Sequence, residues 1–151
     1  SLKCPDLICI GATHFYVDSL LREIRHDRLV NRKIHILNNI PDTELSWYYQ
    51  NCKATIYPSR YEGWGLPVAE SLGLGKICLA SNATSIPEIS KDGPEFFDPM
   101  DAHQLAKLVQ RVLEDQEWVE RKEKNIRTCF KSTEWSQTAQ QIVHSFPQEL
   151  V

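Results

Sequence analysis

Two glutamates stand on either side of a glycine turn in the stretch YPSRYEGWGLPVAE, residues 57–70. A carboxylate only accepts hydrogen bonds and has two oxygens, so Glu62 or Glu70 can hold both hydroxyls of a vicinal diol. Between them, Gly63 and Gly65 carry no side chain and allow a positive φ, so backbone N–H groups can point at a ligand. The spacing therefore suits a ligand with a hydroxyl-rich group at each end.

The turn leads into a predicted helix, and Pro67 suits the first helical position, where a missing N–H costs nothing. Unpaired N–H groups and the helix dipole favour an anion such as a phosphate or diphosphate. Together with the two carboxylates, this describes a nucleotide-sugar. Two simpler interpretations stay open: Ser59 to Glu62 fits a capping box, and Glu70 near a helix start is favourable without any ligand.

The composition is that of a soluble globular protein, with 42% hydrophobic and 25% charged residues. A length of 151 residues suits one domain. The net charge of -3 gives no basic stripe of the kind that nucleic-acid-binding proteins carry. No apolar run approaches the ~20 residues of a membrane helix. We therefore expect a cytoplasmic protein without a nucleic-acid partner.

Five cysteines are present, an odd number without metal-ligand spacing. We interpret them as reduced thiols in a cytosolic protein, because disulfides are rare in that compartment. Cys9 and Cys78 lie within apolar runs and are expected to be small core residues.

Alternating apolar and amphipathic segments predict the elements that must position the turn. The predicted strands are 7–12, 33–38, 54–59, 76–81 and 95–99, and the predicted helices are 14–29, 43–52, 66–75, 101–115, 117–130 and 134–146. Strands that alternate with helices of this length imply a parallel sheet, with 7–12 as a buried strand. Right-handed crossovers then give an α/β, Rossmann-like, doubly wound parallel sheet with flanking helices.

The segment PSRYEGWGLPVAESLGLGKICLASNATSIPEI resembles the signature of the retaining glycosyltransferases of family 4 (glycosyltransferase group 1). LICIGA, NNIPDTELSWYYQNCKATIYPS, FFDPMDAHQLAKLVQRVLED and EWSQTAQQ resemble other parts of the same domain, so the resemblance covers essentially the whole chain. It implies the C-terminal, donor-binding domain of a GT-B enzyme. Such an enzyme moves a mannose- or glucose-type hexose from a nucleotide-diphosphate sugar to a glycan or lipid-linked acceptor.

By this resemblance, Glu62 contacts hydroxyls of the transferred sugar and is the first candidate for a catalytic residue. Glu70 would hold the ribose diol, and the backbone of 63–66 would meet the sugar and the diphosphate. Arg60, just before the motif, is a candidate phosphate contact, with a surface role as the alternative. Ser85 is a candidate donor contact, with helix capping as the alternative. The donor-binding candidates are thus Gly63, Trp64, Gly65, Leu66, Glu70, Arg60 and Ser85. The family needs no metal or cofactor, because the helix dipole and basic side chains stabilise the leaving diphosphate.

Trp64 stands where the family usually has Phe, and packing under the loop and stacking on a ligand both remain open. In the family the domain opens with a strand and helix whose loop carries an Arg and a Lys that clamp the diphosphate. Nothing before residue 7 matches this segment, and the chain lacks an initiating Met. We therefore expect a single domain, 1–151, that is a fragment without its first strand and helix and without the acceptor domain.

Such a fragment is expected to have no transferase activity alone. The complete protein would be cytoplasmic, with peripheral association at the inner face of a membrane as an open possibility. A degenerate nucleotide-sugar-binding module without transferase activity is the alternative function. A nucleotide-sugar epimerase would need a dinucleotide fingerprint, which the sequence does not contain.

Overall fold

A computed structural model describes residues 4–12, 17–132 and 135–146. Within these residues, strands and helices alternate until the last three helices, except that two helices follow the first strand. The strands are β1 Leu7–Ile10, β2 Ile34–Leu37, β3 Thr55–Tyr57, β4 Cys78–Ser81 and β5 Glu95–Phe97. The helices are α1 Asp18–His26, α2 Arg28–Asn31, α3 Asp42–Asn51, α4 Leu66–Gly73, α5 Ile86–Ile89, α6 Ala102–Glu114, α7 Gln116–Cys129 and α8 Trp135–Ser145. None of these helices is long and apolar enough to cross a bilayer.

The chain divides into two compact units, 1–51 and 52–151. In the first unit, β1 pairs with β2 in parallel, in a register that runs from Leu7 opposite Ile34 to Ile10 opposite Leu37. In the second unit, β3, β4 and β5 form a parallel sheet in that order. Every strand pair within the described residues is parallel, which confirms the predicted α/β class.

The first unit has no fully buried residue among those that the structure describes. Leu7 is 43% and Ile10 37% exposed, and Cys9 is exposed as well. The prediction of a buried strand at 7–12 with Cys9 in the core is therefore wrong. The reason is that a two-stranded sheet is too narrow to enclose a core.

The predicted helix 14–29 is also wrong in its extent. Residues 13–16 lie outside the described part of the chain, and α1 ends at His26. Asp27 is extended at φ -91° and ψ 110°, and its side chain accepts hydrogen bonds from the N–H groups of Leu29 and Val30. Asp27 thus caps a second short helix, which the apolar periodicity of the segment does not reveal.

The second unit has a core on each face of its sheet, because the side chains of β4 alternate between the faces. All four β4 residues are buried. One cluster contains Val68, Leu72, Cys78, Ala80, Ile86 and Ile126. The other contains Ile77, Leu79, Phe97, Val112, Trp118 and Val119. Helices therefore flank this sheet on both sides, and Cys78, unlike Cys9, is a core residue as predicted.

Candidate functional site

The loop that follows β3 carries the candidate residues, and it lies at the carboxyl edge of the sheet together with the loop that follows β4. In open α/β sheets, ligands bind at this edge. The first loop, 58–65, runs from the end of β3 to the start of α4, and the second, 82–85, runs from β4 to α5. All the predicted site residues lie in the second unit.

Gly65 forms the N-cap of α4 in a left-handed conformation, with φ at 94°. The positive φ favours glycine, and a Cβ atom built on it would also lie 3.2 Å from Ile89 Cδ1, which would have to shift slightly. Gly63 differs, because its φ is not positive and nothing lies within 4 Å of where its Cβ would be. Of these two glycines, only Gly65 has the positive φ that the sequence predicts. At Gly63 the missing side chain leaves the space beside the backbone open.

The start of α4 offers unpaired backbone donors. Leu66 is its first residue and Pro67 its second, so Pro67 lies one position later than predicted. The N–H groups of Val68 and Ala69 bond to the carbonyl of Gly65, at 3.0 and 3.4 Å. By contrast, no described residue accepts a hydrogen bond from the N–H groups of 63–66. The donors of Gly65 and Leu66 thus stand at the positive end of the helix dipole, and those of 63–64 lie in the loop just before it.

The carboxylate of Glu62 is held through one of its two oxygens. Oε1 accepts hydrogen bonds from the hydroxyl of Tyr57 at 2.6 Å and from that of Ser59 at 2.8 Å. No described residue is bonded to Oε2. The bond from Tyr57, and after it the bond from Ser59, lowers the pKa of Glu62. Glu62 is thus an ionised acceptor with one oxygen available.

The backbone of Glu62 is held by the loop after β4. Thr84 Oγ1 accepts from the N–H of Glu62 and donates to its carbonyl, both at 3.1 Å. Ser85 Oγ donates to the same carbonyl at 2.9 Å. Ser85 makes no side-chain cap to α5, so the capping alternative is wrong for this residue. The structure brings Ser85 to Glu62, where its hydroxyl positions the loop.

The capping-box interpretation of Ser59 to Glu62 is also wrong. No helix begins there, since the next helix starts at Leu66. Ser59 Oγ lies 2.8 Å from Glu62 Oε1 and 3.2 Å from the carbonyl oxygen of Tyr61. The hydroxyl has a single proton, and the shorter of the two hydrogen bonds is the one to the carboxylate. The pair is a contact within a loop, and it fixes a side chain instead of a helix end.

The remaining candidates present exposed side chains around this loop. Glu70 is exposed in α4, and Arg60 is exposed without an ion pair to any described residue. Trp64 is 48% and Leu66 59% exposed, so the indole is not packed away under the loop. No group of three or more His, Cys, Asp or Glu residues in the described ranges could hold a metal ion.

Sequence reasoning missed Tyr57 and Thr84 as partners of Glu62, and it paired Ser59 with Glu62 in a different role, as a capping box. Tyr57 and Ser59 could have been found, because alternate positions at the end of a strand point to the same side of a sheet. Thr84 could not have been found in this way. It lies 22 residues from Glu62 in the sequence, and only the fold brings the two together.

Some known proteins resemble this chain in sequence, and some solved structures resemble it in fold. The family model of the glycosyl transferases group 1 matches residues 17–128. The O-antigen chain mannosyltransferase B of Escherichia coli is 30% identical over 113 residues, which are 75% of this chain and 30% of that protein. The MMP alpha-(1->4)-mannosyltransferase of Mycolicibacterium hassiacum is 28% identical over 114 residues, 73% of this chain and 28% of that protein. The chain thus spans less than a third of these curated relatives.

Among solved structures, HepE from Anabaena in complex with UDP superposes with a TM-score of 0.81 at 19% identity, over 93% of this chain and 40% of that one. WaaG, a glycosyltransferase involved in lipopolysaccharide biosynthesis, gives 0.75 at 14% identity, over 93% and 38%. These structures share the α/β fold of the chain. Since the family model covers well over half of its residues, the chain belongs to the glycosyl transferases group 1 family.

Proposed function

We propose that the chain is the donor-binding domain of a retaining glycosyltransferase of family 4. The complete enzyme would move a mannose- or glucose-type hexose from a nucleotide-diphosphate sugar to a glycan or lipid-linked acceptor. Family membership supports this proposal, and so do the mannosyltransferase relatives. A structural neighbour was crystallised with UDP and with UDP-glucose, which is donor chemistry of the same kind.

The observation that carries the proposal is the pairing of a fixed carboxylate with adjacent backbone donors. Glu62 keeps one oxygen available, and the next four residues, 63–66, offer N–H groups that no described residue uses. An available carboxylate oxygen suits a sugar hydroxyl, and the N–H groups at a helix start suit a diphosphate. Glu70, further along α4, would hold the ribose diol, and Arg60 would approach a phosphate.

These parts suggest how the residues of this domain would contribute to transfer. As the bond between the anomeric carbon and the diphosphate oxygen breaks, negative charge grows on the diphosphate beside the N–H groups and the helix dipole. The acceptor oxygen would attack on the face of the leaving group and pass its proton to the diphosphate. Glu62 would orient the sugar through its hydroxyls and does not need to act as a nucleophile.

The test uses the full-length product of the reading frame that encodes these residues. Thermal unfolding is measured with UDP-, GDP- and ADP-sugars, because a ligand that binds the native state raises the apparent stability with its concentration. Transfer to glycan acceptors is then assayed with the sugar that binds. We expect one donor to stabilise the protein and to be turned over. Glu62→Gln should greatly reduce turnover, whereas the matched variant Glu117→Gln, at an exposed position of α7, should not.

The outcomes separate the two functions. Stabilisation by a nucleotide-sugar without turnover on any acceptor would favour the degenerate binding module. Absence of stabilisation by all three classes of donor would contradict both functions. Residues 1–151 expressed alone should show no transferase activity, and robust turnover by them would contradict the assignment of this chain to the donor half.

A further inference from the structure

We propose that Tyr57 is a positioning residue for Glu62, which fixes Oε1 so that Oε2 meets a hydroxyl of the transferred sugar. The inference rests on the proposed function, since it assumes that Glu62 faces the donor. Its basis is the contact between the Tyr57 hydroxyl and Oε1, at 2.6 Å, on an oxygen that Ser59 also engages.

Tyr57 is anchored before its hydroxyl reaches the loop. It is the last residue of β3, where it pairs with Ala80 of the central strand. Its ring packs against the buried cluster that includes Val68 and Leu72. Its Cε1 atom also lies 3.8 Å from where a Cβ on Gly65 would be, so the ring supports the turn. The hydroxyl therefore projects from a fixed ring.

Two donors on one oxygen set the orientation of the carboxylate. A half turn of the Glu62 carboxylate exchanges two equivalent oxygens and restores both hydrogen bonds. An intermediate rotation would break both bonds, so it is unfavourable. Because Oε1 already accepts two hydrogen bonds, Oε2 is the oxygen with capacity for a ligand hydroxyl. A sugar hydroxyl that donates to Oε2 would then meet an acceptor whose position is set before binding.

The protonation states support the same direction of donation. Burial, and after it the bond to Glu62, raises the pKa of Tyr57 to about 12, so its hydroxyl keeps its proton at neutral pH. The same bond lowers the pKa of Glu62. Tyr57 thus remains the donor and Glu62 the acceptor through the range in which such a protein would work.

Tyr57→Phe in the full-length protein tests the inference, because it removes the hydroxyl and keeps the packed ring. We expect affinity for the nucleotide-diphosphate sugar to fall about tenfold, and affinity for the matching nucleoside diphosphate to change less than about twofold. Loss of the donor makes ionisation of Glu62 less favourable and raises its pKa. On acidification, sugar-dependent affinity should therefore be lost at a higher pH than in the wild type.

Two further variants make the test selective. Tyr48→Phe removes a hydroxyl from α3, where the ring stands edge-on to Trp47, and should change neither affinity. Ser59→Ala removes the other donor to Oε1 and should move the acid limb in the same direction as Tyr57→Phe. If Tyr57→Phe failed to fold, Ser59→Ala would carry the same measurement.

The possible results distinguish the inference from the function beneath it. If the wild type binds a nucleotide-sugar but Tyr57→Phe weakens nucleotide and nucleotide-sugar equally, or leaves the acid limb unmoved, the inference is overturned and the proposed function stands. If the wild type binds neither ligand, the proposed function fails and the role of Tyr57 fails with it.

Discussion

Ser81 Oγ donates a hydrogen bond to the backbone carbonyl of Ser59, with 2.5 Å between the two oxygens. Ser81 ends the central strand β4 and is fully buried. Ser59 lies two residues beyond β3, on the loop that carries Glu62. The base of the candidate site is therefore tied to the middle of the sheet by a side chain that sequence patterns do not mark.

Ser81→Ala should loosen this loop without abolishing the fold. Loss of one hydrogen bond lowers the free energy of unfolding by about 1 kcal/mol. Amide hydrogen exchange should become faster in residues 59–65, and mass spectrometry of the full-length protein would measure it. Ser19→Ala, at an exposed position of α1, is the control. Unchanged exchange in the loop would mean that the bond does not restrain it.

The two glycines of the turn should respond differently to alanine. Gly65→Ala places a Cβ at a positive φ and against Ile89, so it should lower the free energy of unfolding by about 1–3 kcal/mol. Gly63→Ala meets open space and should leave thermal stability nearly unchanged. Its methyl group would nevertheless occupy the side where we place the donor, and nucleotide-sugar affinity should fall. If Gly63→Ala binds like the wild type, the donor does not approach that residue.

Glu70→Ala should weaken nucleotide binding, because the proposed bond to the ribose diol involves a charged acceptor. The expected loss is about 1.5–3 kcal/mol. The nucleoside diphosphate and the nucleotide-sugar should lose affinity equally, which distinguishes this variant from Tyr57→Phe. Isothermal titration calorimetry of the full-length protein measures both. Equal affinities in wild type and variant would remove Glu70 from the ribose site.

An alkaline titration should reveal Tyr57. Its pKa of about 12 in the folded protein lies above the ordinary value of 10.0. Because the folded protein raises the pKa of Tyr57, the neutral hydroxyl contributes to the free energy of unfolding. This contribution is fully present below about pH 10 and is lost as the pH rises through about 12. Tyrosinate absorbance of the native protein should show a late step that Tyr57→Phe removes. If the absorbance titrations of the wild type and Tyr57→Phe were identical at high pH, the pKa of Tyr57 would not be raised.

Trp118 should contribute to the stability of the fold and not to ligand binding. It is 4% exposed in the core, and the guanidinium of Arg111 lies 4.1 Å from its ring centre. Trp118→Ala should cost about 3–5 kcal/mol of unfolding free energy, and Arg111→Ala about 0.5–1 kcal/mol. Chemical denaturation measures both, with Arg121→Ala as a surface control. A small loss for Trp118→Ala would contradict its place in the core.

The sequence predicts the order and type of the strands and helices well, because the spacing of apolar residues and the turn residues determine them over short stretches of chain. It fails where a side chain competes with periodicity, as Asp27 does when it caps α2 within one apolar pattern. It also fails on burial in β1, since an apolar strand becomes buried only when neighbouring strands and helices cover it. Apolar character alone could not show that Cys9 is exposed and Cys78 buried.

The sequence indicates the central residues of the candidate site but not the residues that hold Glu62 in place. Glu62 and Glu70 are marked by their spacing around the glycines, and Gly65 by its place before a helix. The partners of Glu62 were hidden for two reasons. The pattern from Ser59 to Glu62 fits a capping box as well as a loop, and the bonds to Thr84 and Ser85 join segments that are distant in the sequence.

The hydrogen bonds from Thr84 and Ser85 to the backbone of Glu62 have a mechanical consequence. The loops after β3 and β4 are coupled, so a displacement of one must be transmitted to the other. If a ligand pulls Glu62 inward, the start of α5 has to follow, or these bonds have to break. Pressure from any partner on α5 would likewise reach the loop that carries Glu62, where we place the sugar of the donor.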